Sequence, residues 1–385
     1  MRLYVSVPVI ILCVLLLTGC WDRVEVNDMA FIIAAGVDKL TEDEIEVTVQ
    51  VFIPNPAASS GEGGTGQGNV YTVSSKGNSM PDALSELQKK FPRYFSWGHA
   101  KAYFFGEELA RTGMFDNFDF LFRDIQPREQ ANFFVCRGTA KELLEAQNDP
   151  NTYETLIKLS QKPLIQSATM HDIEEVLSGE SGAFLLPVAN KSKLTSNQSK
   201  KTILTVEGLS VIKEGKLACF LTQEEQMGIR LFIHENLGRN ITLTEEEAGG
   251  KVVIKIITTH LHLHPSIENG IWKMTVELEL EADVVQNSTH IILADGTDTM
   301  KKLEEPFDKK IKKILRDTLQ QLQTDQKADV LGFARAFHKK YPQEWKQAKG
   351  NWNVIFPTMD VQLEVKSIIK RPGISNFPFT NMQSR

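Results

Sequence analysis

The sequence predicts a multidomain α+β protein of mixed α/β character, with a C-terminal antiparallel sheet packed against helices. Three observations carry this. Strand-like and helix-like runs interleave through the first half of the chain. In the second half, two long alternating strands are followed by amphipathic helices and one last strand. Between the halves, Lys191-Ser-Lys-Leu-Thr-Ser-Asn-Gln-Ser-Lys-Lys201 is almost free of apolar residues, as an exposed loop or domain boundary would be. The expected division is a leader at 1–19, an N-terminal region at 20–200, an α+β domain at 201–373 and a tail at 374–385. The N-terminal region splits into subdomains at about 20–138 and 139–200.

In order along the chain, Met29 to Val37 is a continuous apolar run that reads as a buried strand, and Glu44 to Ile53 alternates like a strand with one wet face. Asp38 to Asp43 is the turn between them. Pro54 ends the second strand, and Ser59 to Gly68 is Gly-rich; without Gly-Lys-Ser/Thr opening a helix it reads as a flexible hairpin loop rather than a phosphate cradle. Ser79-Met80-Pro81 opens a helix, with Ser as N-cap and Pro in the first turn, whose apolar positions are Ala83, Leu84, Leu87 and Phe91. Lys101 to Phe105 and Ala131 to Cys136 are strand-like, with helical segments at 107–111 and 114–123 between them. Thr139 and Glu142 have the spacing of a capping box for a helix to Ala146. The pattern from Asn151 to Gly179 is helical, with breaks at Pro163 and Ser167.

Beyond Lys201, the strands Thr202 to Lys213 and Lys216 to Leu221 flank Glu214-Gly215, a two-residue hairpin turn. Thr222 and Glu225 form a capping box for a helix to about His234. Lys251 to His264 and Ile271 to Val285 are the long strands, joined through Pro265 and Asn269-Gly270. A helix over Met300 to Gln323 puts Ile311, Ile314, Leu315, Leu319 and Leu322 on one stripe. Ala328 to Tyr341 is a second helix, stopped by Pro342. Met359 to Lys370 closes the sheet, alternating at Val361, Leu363 and Val365.

The leader decides where this body sits. Arg2 precedes an apolar run from Val7 to Leu17, too short for the roughly 20 residues a membrane-spanning helix needs. Leu17-Thr18-Gly19-Cys20 resembles the lipobox of bacterial lipoproteins, which implies cleavage between Gly19 and Cys20, an S-diacylglycerol and an N-acyl group on Cys20, and a chain held on a membrane outside the cytoplasm. Two or more acyl chains anchor stably where one is marginal. A net charge of −6 does not advertise nucleic-acid binding. Cys136 and Cys219 remain after Cys13 and Cys20; pairing is open to them, but their apolar strand-like surroundings favour buried thiols.

Chemistry is thinly represented. His260, His262 and His264 fall at i, i+2, i+4 on a strand and share a face, a pattern that can ligate zinc. No partner with metal-site spacing accompanies them, so a solvated face is the favoured reading and no metal or cofactor is assigned. Lys309, Lys310, Lys312, Lys313 and Arg316 form a basic helix face suited to anionic lipid. Glu304, Glu305 and Asp308 precede them, as the helix dipole prefers, so a solvated face again reads better. There is no Gly-x-Ser-x-Gly and no His-Glu-x-x-His, which leaves catalysis the weak hypothesis.

Several separated motifs carry a resemblance across nearly the whole chain. Cys20-Trp21-Asp22-Arg23-x-Glu25-x-Asn27-Asp28, Ile33-x-x-Gly36-Val37-Asp38, His99-Ala-Lys101, Gly106-Glu-Glu-Leu-Ala110, Arg123-Asp124 with Arg128, and Gly182-x-Phe184-x-x-Pro187 resemble the Ger(x)C family. So do Ala328-Asp-Val-Leu-Gly-Phe333, His338, Tyr341-Pro342, Trp345-Lys346, Trp352 and Phe356 near the end. Ala34-Ala35, in place of a Gly-containing stretch, and the three histidines depart from the pattern. These proteins are the lipoprotein C subunits of nutrient germinant receptors in endospore-forming bacteria. The resemblance implies three α/β-type domains without enzymatic activity, lipid-held on the outer face of the spore inner membrane beside polytopic A and B subunits. The aromatics from Tyr341 to Trp352 suit either a core or a partner interface; helical spacing favours the core, and Trp345 and Trp352 are the docking candidates. The alternative from another class, a substrate-binding lipoprotein of a transporter, would need two doubly wound lobes, and the strand–helix alternation is too short for them.

Overall fold

The computed structural model describes residues 25–54, 69–123, 128–146, 157–158, 168–177, 181–196, 199–233, 240–289, 292–293 and 298–373. Gly19 and Cys20, the Gly-rich run 59–68, and Pro163 with Ser167 lie outside them.

After a short 3-10 turn come β1 (Met29–Lys39), β2 (Ile45–Ile53), β3 (Asn69–Gly77), α1 (Met80–Lys90), β4 (Tyr94–Ser96) and β5 (Ala102–Phe105). They are followed by α2 (Glu107–Thr112), α3 (Phe115–Arg123), β6 (Asn132–Cys136), α4 (Ala140–Glu145) and α5 (Met170–Leu177). Then come β7 (Ala183–Ser196), β8 (Ser199–Lys213) and β9 (Lys216–Phe220). These strands make one sheet in the order β3-β2-β1-β5-β6-β7-β8-β9, with β4 also paired to β1. Its centre is parallel, β1 to β5 to β6 to β7, and its two flanks are antiparallel hairpins. A parallel neighbour requires a crossover, and α2 with α3, and α4 with α5, lie in those connections.

Helices cover both faces of this sheet. Ala35, Val37, Val49 and Phe133 lie in one core with Leu87 of α1 and Phe118 of α3, while Ala34, Phe104, Phe134 and Cys136 lie in another with Leu143 and Leu144 of α4. This corrects the expectation of a wet face on β2. Val47 to Val51 are all buried, and the polar pair on that face bonds inside the fold: Gln50 Nε2 donates to Leu144 O at 2.9 Å, leaving Gln50 Oε1 without a described partner, and Thr48 bonds Ser74 at 3.1 Å. Polar alternation therefore marked buried hydrogen bonding rather than solvent. In the stretch expected as a loop or boundary, residues 191–196 and 199–201 belong to β7 and β8, paired from Lys191↔Leu204 to Ser196↔Ser199. A backbone ladder needs no apolar side chains, so the composition hid it.

The second half contains α6 (Gln223–Phe232), β10 (Asn240–Leu243), α7 (Glu245–Ala248), β11 (Val252–Glu268), β12 (Ile271–Asn287) and α8 (Asp298–Gln320). It ends with α9 (Phe333–Lys340), α10 (Pro342–Ala348), α11 (Trp352–Thr358) and β13 (Asp360–Arg371). The sheet order is β10-β11-β12-β13. Thr222 and Glu225 complete both halves of the capping box on α6, and Asn269-Gly270 makes the β11–β12 turn with both φ angles positive, 51° and 78°. Pro265 lies within β11 instead of the turn, past the stretch where β10 pairs, so its missing N–H faces no strand. The last strand departs from the antiparallel expectation: β13 runs parallel to β12, because four helices carry the chain back to the other end of the sheet first. Pro342 stops one helix and also opens the next at its first position. β13 is an edge strand, and α8 guards part of its rim: Glu304 accepts the Ile369 N–H at 3.0 Å.

α8 packs its stripe, Phe307, Ile311, Leu315 and Leu319, into a core that reaches from the C-terminal sheet to Leu185, Leu209 and Val211 of the first sheet. α6 is wedged between them, and Gly228 is where it meets α8. A Cβ at Gly228 would stand 1.9 Å from Thr318 Oγ1 and 2.8 Å from Thr318 Cβ. Gly228→Ala gains helix propensity but overpacks this contact, so a net loss of about 1–2 kcal/mol is expected from the urea midpoint. An unchanged midpoint would show that the two helices part freely.

Candidate functional site

Two buried carboxylates, one in each half, gather the sequence motifs into sites. Asp38 ends the apolar run of β1, and its two oxygens accept backbone N–H groups from the first turn of α4: Ala140 to Oδ1 at 2.7 Å and Lys141 to Oδ2 at 2.8 Å. Thr139 Oγ1 accepts from Glu142 N at 3.3 Å, so one half of the expected capping box forms beside it, while the Glu142 carboxylate pairs with Lys191 instead. Gly36 lies against Ala140 and Gly106 against Asp38; a Cβ at Gly106 would stand 2.0 Å from Asp38 Oδ1. Burial pushes the Asp38 carboxyl above its ordinary value, and the two N–H donors oppose this. The separate motifs at Gly36-Val37-Asp38, Gly106 and Thr139 are thus one junction. Its close approach explains why glycine stands at both positions.

Asp329 does the same work in the C-terminal half with four donors. Oδ1 accepts from Leu331 N at 3.1 Å and Phe333 N at 3.3 Å, and Oδ2 from Ala334 N at 2.7 Å and Trp352 Nε1 at 3.1 Å. Residues 328–332 are accordingly not helical, contrary to expectation; the carboxylate caps a helix that begins at Phe333, with Gly332 at φ 80° before it. Burial raises the Asp329 pKa and the N–H donors partly restore it. A carboxylate four residues ahead of an apolar helix start, with a glycine between, was the available signal for this cap.

Trp345 and Trp352 are 3% and 4% exposed. Trp352 meets Trp345 at 5.0 Å between ring centroids, Phe337 at 5.8 Å and Trp272 at 5.9 Å. Both rings therefore pack into the C-terminal core, the placement that their helical spacing favours. The three histidines do share the outer face of β11. His260 stands opposite Glu279 and His262 opposite Glu277, while His264 Nε2 lies 3.2 Å from Glu277 Oε2. Among the described residues no group of three His, Cys, Asp or Glu side chains is placed to hold a metal ion.

Lys309 pairs with Glu305 at 2.7 Å and Lys310 with Glu247 at 3.1 Å, which ties down part of the basic face of α8. Cys136 and Cys219 are both free; burial pushes Cys136 well up and Cys219 to about 11, so neither is a reactive thiolate at neutral pH. No helix among the described residues is long and apolar enough to cross a membrane.

Comparison with known proteins accounts for both halves. Residues 22–191 match the family described as spore germination protein N-terminal domain, and residues 207–373 match the family described as spore germination B3/GerAC like, C-terminal. The chain is 26% identical over 381 residues to the putative spore germination protein YfkR of Bacillus subtilis (strain 168), covering 97% of each chain. It is 24% identical to spore germination protein KC of the same organism, over 96% of this chain and 95% of that one. The crystal structure of the GerBC protein shares the fold at a TM-score of 0.57 and 19% identity, over 87% of this chain and 96% of that one. Matched from Asp22 to Gly373 apart from a short gap within β7 and β8, the chain belongs to the Ger(x)C family of spore germination proteins.

Proposed function

We propose that the chain is the lipid-anchored, non-enzymatic C subunit of a spore nutrient germinant receptor, acting in germination. In this reading Cys20 carries the acyl groups, the domains lie on the outer face of the spore inner membrane, and the A and B subunits are its polytopic partners. The observation that carries it is the near full-length match to two germination families, beginning at Asp22, with a lipobox-like Cys20 two residues ahead. The buried carboxylates agree with a structural role: Asp38 and Asp329 are closed in by helix N–H groups rather than turned toward a cleft. A tether holds the domains at high effective concentration beside membrane partners, so weak contacts suffice for assembly.

The lipid part of this reading has a direct test. Cells fed labelled palmitate are expected to label the wild-type chain and not Cys20→Ala, and the mature N-terminal peptide should begin at Cys20 with a mass increase of two or three acyl chains. At about 0.8 kcal/mol per buried CH2, such chains hold the protein on the membrane effectively permanently. An unmodified Cys20, or cleavage at another bond, would refute the anchor.

A further inference from the structure

The start of β1 lies close to Cys20. Glu25, where the described chain begins, follows Cys20 by five residues, so their Cα atoms are at most about 18 Å apart. β1 has 11 residues and is about 36 Å long. A first domain standing on the other end of β1 would hold Met29 about 36 Å off a bilayer, well beyond what the segment from Cys20 spans. Parallel neighbours begin at the same end of a sheet. β1, β5 and β6 are parallel, so Met29, the approach to Ala102 and the approach to Asn132 share one end with β4, where Tyr94 pairs with Met29.

That end presents apolar surface. Tyr94 is 64% exposed and Val26 59%, while beside them Phe91 stacks on Phe95 at 5.0 Å and Phe31 meets His99 at 4.7 Å. The charges here offset one another: Lys90, Lys101 and Arg128 stand against Glu25, Asp28 and Glu129. An exposed tyrosine, apolar in body and polar at its tip, on a surface without strong net charge suits the water–lipid boundary better than a charged protein partner. We infer that the end of the first sheet at which β1 begins faces the bilayer, with the Tyr94 ring seated among the lipid headgroups as a second contact beside the Cys20 acyl chains. This rests on the lipid-anchor reading and adds an orientation to it. β1 then rises from the membrane, and Leu40, 40% exposed just past its other end, points to water.

The test uses the full acylated chain in phosphatidylcholine vesicles containing a spin-labelled phosphatidylcholine, with an NBD fluorophore placed at one end of β1 or the other. Tyr94→Cys and Leu40→Cys both replace exposed residues, and the unsubstituted chain, in which Cys136 and Cys219 are free, supplies the blank. Flotation with the vesicles is measured first. The label at 94 is expected to lose at least about half its emission to the lipid quencher, and the label at 40 to keep nearly all of it, because the interface holds one and water the other. Equal quenching at the two positions, or stronger quenching at 40, would overturn the orientation while leaving the anchor intact. A chain that does not float would refute the anchor itself and the orientation with it.

Discussion

Asp329→Ala is expected to lower the stability of the C-terminal half by about 3–5 kcal/mol, because three backbone N–H groups and an indole N–H lose one buried acceptor together. All four donors lie within 3.3 Å of the carboxylate. No solvent reaches them to compensate, since Asp329 and Trp352 are both buried. The loss should spread to the start of α9 and to the cluster of Trp272, Trp345 and Trp352, so tryptophan fluorescence in a urea titration is a suitable reporter. Asp329→Asn should recover only part of the loss: both carboxylate oxygens accept, and an amide presents a donor where one of them stood. A change below about 1 kcal/mol would mean that the aromatic core sets the helix start by itself.

Asp38→Ala should cost the first domain roughly 2–4 kcal/mol by uncapping α4 and leaving a void between β1 and that helix. A pH dependence separates the carboxylate from simple packing. The Asp38 pKa is raised in the fold, chiefly by burial, so the native state takes up a proton before the unfolded chain does. This group's contribution to stability therefore falls as pH rises from about the unfolded value through the folded one, the reverse of ordinary acid denaturation. Compared with Asp38→Asn, which cannot titrate there, the wild-type chain should gain relative stability as pH is lowered from 7 toward 4. A relative loss over that interval would contradict the raised pKa.

How much of this was readable from residues alone depended on the kind of force involved. The β11–β12 hairpin announces itself by alternation and by Asn269-Gly270, and α8 by its apolar stripe, because both bury one face against a core. The 191–201 segment was misread because its pairing lies in the backbone, and β2 because Thr48 and Gln50 are polar yet paired inside. The parallel placement of β13 follows from the path of four helices, which no local pattern records. Asp38 was read as the first turn residue, while its partners stand 102 and 103 positions away. Long-range acceptors of this sort have no period to detect.

The central claim is membership of a membrane receptor assembly, and co-isolation tests it most directly. The tagged chain would be purified from detergent-solubilised spore inner membrane beside a Cys20→Ala form, and the accompanying proteins identified by mass spectrometry. Two polytopic membrane proteins are expected with the wild-type chain, depleted in the Cys20→Ala sample. Recovery of the wild-type chain alone, or with transporter permeases, would contradict the receptor-subunit account.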